Sequence, residues 1–132
     1  MRKIEHLGLA VENIESAIET FEKLLNTKCY KIEEVASEAV KTAFFKIGES
    51  KIELLEATDK ESAIAKYIAK KGPGIHHIAF DVEDINYEIN RLKNEGFQLI
   101  HESPKAGADQ KKIAFLHPKS TEKMLIELCQ DR

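Results

Sequence analysis

Between Ile4 and Val11 the side chains alternate, with Leu7, Leu9 and Val11 on one side of an extended chain and His6, Gly8 and Ala10 on the other. The period then changes. Ile14, Ala17, Ile18, Phe21, Leu24 and Leu25 recur at helical spacing, with Asn13 placed to cap the start and Asn26-Thr27 to end the run. Strand patterns follow at Cys29 to Val35, Val40 to Ile47 and Lys51 to Glu56, the last two joined by a tight hairpin at Gly48 to Ser50. The predicted order is β-α-β-β-β. Thr58, with Glu61 three residues on, fits a capping box that opens a helix over Lys60 to Lys71, and Gly72-Pro73-Gly74 stops it.

The pattern then repeats. His6 aligns with His77 at a separation of 71 residues, and without a gap Val11 falls on Val82, Ile14 on Ile85, Ile18 on Ile89 and Phe21 on Leu92. Asp84 stands where Asn13 stood, capping a helix over Ile85 to Asn94 that Gly96 ends. A strand is predicted near Phe97 to His101, a loop over Glu102 to Gln110, a strand over Lys111 to Leu116, a turn at HPKSTEK and a last strand over Met124 to Gln130. Glu53 in KIELLE and Glu127 in LIELCQ lie 74 residues apart, so the carboxylates recur with the histidines. The expected class is therefore α+β, built from two βαβββ modules. One domain over residues 1–132 is expected, with module one at 1–58, a connector helix at 59–73 and module two at 74–132.

Composition narrows the partners. Of 132 residues, 42% are hydrophobic and 33% charged, the balance of a globular chain with a real core. A formal charge of -3 gives no general attraction for nucleic acid, although Lys70-Lys71 and Lys111-Lys112 are local basic pairs. No apolar run reaches the roughly 20 residues that cross a bilayer, and charge breaks up the N-terminal stretch, so a cytoplasmic protein without a membrane partner is expected. Cys29 and Cys129 are far apart and form no CxxC motif, which predicts free core thiols.

The recurring histidines and glutamates are the candidate chemistry. A lone histidine on a strand is usually structural, and a lone strand glutamate usually faces solvent. Here both types recur at matching places of a repeat. His6 and His77 share the parity of Gly8 and Ala79, small neighbours that leave room beside the rings. Glu53 and Glu127 lie between aliphatic residues, where an unpaired carboxylate would cost about several kcal/mol and so calls for a cation or a proton. Two imidazoles and two carboxylates form a donor set suited to a divalent transition metal: Zn2+, Co2+, Ni2+ and Mn2+ are all compatible. His76 has the opposite parity and reads as structural or supporting, while His101 and His117 read as loop residues.

Taken together, GIHHIAF at Gly74 and KIAFLHPKST at Lys112, with KIEHLGLAV at Lys3, GESKIELLE at Gly48 and LIEL at Leu125, resemble the vicinal oxygen chelate superfamily and, within it, the methylmalonyl-CoA epimerase family. The resemblance spans almost the whole chain. It implies a cupped mixed sheet of about eight strands around a divalent metal, often cobalt(II), and a homodimer. It also implies interconversion of (2R)- and (2S)-methylmalonyl-CoA by proton removal at C2 and return to the opposite face. His6, His77 and Glu127 match the family's metal ligands, and Glu127 also matches a catalytic base. Some relatives have glutamine at the place of Glu53 and a second catalytic glutamate on the third strand, where this chain has Thr42. Glu53 is therefore expected to act both as ligand and as second base. The family's GG after HPKST is Glu122-Lys123 here, and its QGV is Glu38-Ala39-Val40. Lys119 and Ser120 are candidates to hold an anionic part of the substrate, a solvated turn being the alternative. Two rivals share the superfamily: glyoxalase I, which typically carries an EDPDGY-like turn where this chain has HPKST, and a binding protein without catalysis.

Overall fold

The computed structural model describes residues 1–132. By internal contacts the chain divides into two units, one of His6–His76 and the other of His77–Arg132 together with Met1–Glu5.

The first unit contains β1 (Lys3–Ala10, whose first residues group with the second unit), α1 (Ile14–Leu25), β2 (Lys31–Val35), β3 (Val40–Ile47), β4 (Ser50–Ala57) and α2 (Ala63–Lys71). Its strands lie in the order β2-β3-β4-β1, with β1 parallel to β4 and the other pairs antiparallel. The helix α1 begins at Asn13, whose side chain accepts a hydrogen bond from the Ser16 N–H, and ends on Asn26 at φ 51°. It packs Ile14, Ala17, Ile18, Phe21 and Leu25 against Leu9, Ile52, Leu54, Ala43 and Phe45. The opposite face of the sheet carries Ala10, Val40 and Leu55, which α2 covers with Ile64, Tyr67 and Ile68. In the two-residue hairpin between β3 and β4, Gly48 takes φ 57°.

The second unit follows the same plan: β5 (Gly74–Asp81, its first residues grouping with the first unit), α3 (Ile85–Asn94), β6 (Lys105–Ala106), β7 (Lys111–Leu116) and β8 (Ile126–Asp131). The order is β5-β8-β7-β6, and β5 runs parallel to β8 as β1 does to β4. The Asp84 side chain accepts from the Tyr87 N–H at the start of α3. Its apolar stripe, Ile85, Ile89 and Leu92, packs on Val82, Leu99, Ala114, Leu116 and Leu128. No helix is long and apolar enough to cross a membrane.

Three expectations are corrected. The Thr58–Glu61 capping box does not form, because Asp59 takes the Glu61 N–H; α2 starts later, at Ala63, capped by the Ser62 hydroxyl. The strand near Phe97 to His101 reduces to a single bridge between Leu99 and Leu116. The outer strand instead lies inside the expected loop, as the two-residue β6 paired with β7.

Candidate active site

Register places each glutamate. In the first unit Gly8 pairs with Glu53 across β1 and β4; in the second Ala79 pairs with Glu127 across β5 and β8. Each histidine stands two residues before that small residue and so shares its face. Because hydrogen or methyl occupies the place beside the carboxylate, the carboxylate can lean along the strand to the ring. His6 Nδ1 lies 3.1 Å from Glu53 Oε2, and His77 Nε2 lies 3.0 Å from Glu127 Oε1. The four residues are buried, at 4% and 6% exposure in the first pair and 7% and 4% in the second.

The surroundings of the two pairs also correspond. Phe44 stands across from Glu53 on β3, and Phe115 stands across from Glu127 on β7. The Phe115 ring meets the His77 ring edge-on, with centroids 5.7 Å apart. One strand further out in the first unit, Lys31 stands opposite Phe44 with its ammonium 5.5 Å from the ring centroid, and pairs with Glu33 at 3.3 Å. In the second unit the Cys129 thiol donates to Glu127 Oε2 at 3.0 Å.

Each pair brings together two atoms that ligate metals, inside a unit where a lone carboxylate would be costly. Imidazole nitrogen with carboxylate oxygen suits a borderline divalent ion, so the residues fit such an ion chemically. Thr42 is buried on β3, in register with Leu55. The remaining candidates lie elsewhere. Lys119 is exposed in a single helical turn over Pro118–Ser120, its N–H donating to His117 Nδ1, and Ser120 Oγ accepts from the Gln98 N–H. His76 stacks edge-on with Tyr67, whose hydroxyl donates to the Ile75 carbonyl. His101 is exposed. Both cysteines are free thiols, Cys29 on the α1 side and Cys129 wholly buried on the side of Ala79 and Ile113. Nothing in the spacing of the two cysteines points to Cys129, whereas its spacing of two from Glu127 on a strand puts both on one face.

Residues 5–115 match the model of the Glyoxalase/Bleomycin resistance protein/Dioxygenase superfamily. The chain is 36% identical over its whole length to an uncharacterized protein of Bacillus subtilis, YqjC, of which it covers 94%. It is 34% identical to the ethylmalonyl-CoA/methylmalonyl-CoA epimerase of Cereibacter sphaeroides, over 97% of each chain. The crystal structure of methylmalonyl-CoA epimerase from Mycobacterium tuberculosis superposes with a TM-score of 0.95 at 30% identity, over 98% of this chain and 88% of that one. The two His–Glu pairs thus occur in a chain that belongs to the glyoxalase/bleomycin resistance protein/dioxygenase superfamily and, within it, to the methylmalonyl-CoA epimerase family of enzymes.

Proposed function

We propose that this protein interconverts (2R)- and (2S)-methylmalonyl-CoA. The observation that carries the reading is the duplicated, buried His–Glu pair in a chain whose epimerase relatives align along nearly all of it. His6, Glu53, His77 and Glu127 together would hold one divalent ion, with cobalt favoured and zinc, manganese or nickel compatible. Such an ion, when bound, would supply Lewis acidity toward the thioester oxygen that gains charge as C2 loses its proton.

The chain's own residues account for the rest. Epimerisation needs a base on one face of C2 and an acid on the other. Glu127 and Glu53 supply two carboxyl groups: one takes the C2 proton, and the other, already protonated, returns one to the opposite face. Their burial keeps bulk water from the reacting carbon and strengthens each electrostatic contact. Lys119 and Ser120 are read as contacts for an anionic part of the substrate, and the protein as a cytoplasmic homodimer.

The test is proton NMR of methylmalonyl-CoA in D2O with cobalt-loaded and chelator-stripped protein. The methyl doublet should collapse as C2 takes up deuterium, only with the loaded protein. No collapse with metal bound would reject the epimerase reading, and the hemithioacetal of glutathione and methylglyoxal would be the next substrate tried.

A further inference from the structure

The two glutamates sit in matching registers but have different neighbours two residues on. At that place the first unit has Leu55, an aliphatic side chain, and the second has Cys129. Asp81 pairs with Cys129 on β5 and Ile113 pairs with it on β7, one step along from the pairs that Glu127 makes with Ala79 and Phe115. Residues 127 and 129 therefore project from one face of β8. Cys129 is wholly buried among Ala79, Ile113 and Phe115, so its S–H points into the protein and meets Glu127 Oε2 at 3.0 Å. The other oxygen, Oε1, faces His77 Nε2 at 3.0 Å. With both oxygens engaged, rotation of the carboxylate about its last bond is blocked. A thiol is a weak donor, but a carboxylate is the acceptor that strengthens it most.

We infer that Cys129 is a positioning residue for Glu127: its thiol fixes which carboxylate oxygen faces His77. The inference rests on the epimerase reading for its kinetic consequence, though not for the contact itself. Glu127 is thereby held at one orientation.

Two substitutions separate positioning from packing. Cys129→Ser keeps a donor and loses apolar volume, whereas Cys129→Val keeps apolar volume and loses the donor. Positioning predicts that Cys129→Ser stays within a few-fold of the wild type. Cys129→Val should lose about 10- to 100-fold in kcat with KM little changed. A merely structural thiol predicts the reverse order, and Cys129→Val as fast as Cys129→Ser would overturn the inference. A second readout needs neither metal nor activity. The infrared S–H stretch of Cys129, assigned by its loss in Cys129→Ser, should move to higher wavenumber in Glu127→Ala as the acceptor is removed; an unmoved band would equally overturn it. Were Cys129→Val unable to fold, the infrared band would decide alone. A wild type inert toward C2 would reject the epimerase reading beneath the kinetic argument, leaving the band to judge the contact.

Discussion

In the first unit the outer strand β2 pairs with β3 along five positions, from Lys31 with Phe44 to Val35 with Val40; in the second, β6 pairs with β7 at only two. Next to the strands that carry the histidines and glutamates the two units agree closely, in register and in the aromatic ring facing each carboxylate. The repeat is thus strict where a carboxylate must reach an imidazole and loose at the rim. A register slip of one residue would turn each glutamate to the opposite face, whereas a shortened outer strand leaves the pair intact.

The largest expected effect tests the strict part. Glu53→Gln should retain bound metal yet lower kcat by about 10²- to 10⁴-fold, and Glu127→Gln should lower it at least as far, measured by the rate at which one epimer converts to the other. Retained activity in Glu53→Gln would mean that only one copy contributes a base, breaking the functional parallel.

The loose part predicts effects on stability. Gly107 adjoins β6 so closely to Ile113 that a Cβ there would stand 2.8 Å from its side chain, with φ at -122° and no special backbone demand. Gly107→Ala should therefore cost about 1–3 kcal/mol by overpacking, read by urea denaturation, without changing the His77–Glu127 pair. The family's glycines are replaced at Ala39, Glu122 and Lys123, and all three adopt left-handed backbone, at φ 51°, 57° and 68°. Glycine at Glu122 and Lys123 should raise stability by up to about 1 kcal/mol each, since the strain of a side chain there slightly exceeds the added freedom of the unfolded chain.

The smallest effect concerns the ion pair beside the outer segment of the second unit. The Lys93 ammonium, hydrogen-bonded to Glu102, holds that carboxyl below its ordinary value of 4.5. The stability this adds is present above the ordinary carboxyl value and is lost as pH falls through the lowered folded-state value. Glu102→Gln should thus lower Tm slightly at pH 7, and the difference should fade as acid protonates the folded-state carboxyl; a full-sized difference that persists once it is protonated would show the loss is not this pair's.

Much of this was readable from residue order. The caps Asn13 and Asp84, the helical stripes they open and the parity of His6 and His77 are local signals, and the structure keeps each of them. The Thr58–Glu61 box was an equally regular signal that lost to a nearer competitor, the Asp59 carboxylate, one residue along. β6 was illegible because two residues carry no periodicity and its position depends on Gly107 and Ile113 meeting. The Cys129 thiol carries no motif signal, because its partner is a carboxylate two residues away rather than a second cysteine.

The most direct measurement of the account is metal stoichiometry on wild type, His6→Ala and His77→Ala, by titration with Co2+ followed by elemental analysis. One ion per chain in the wild type and none retained in either variant is the result expected from the proposed shared site. Two ions per chain, or one ion that survives loss of either histidine, would contradict it and leave the two pairs as separate features of a duplicated fold.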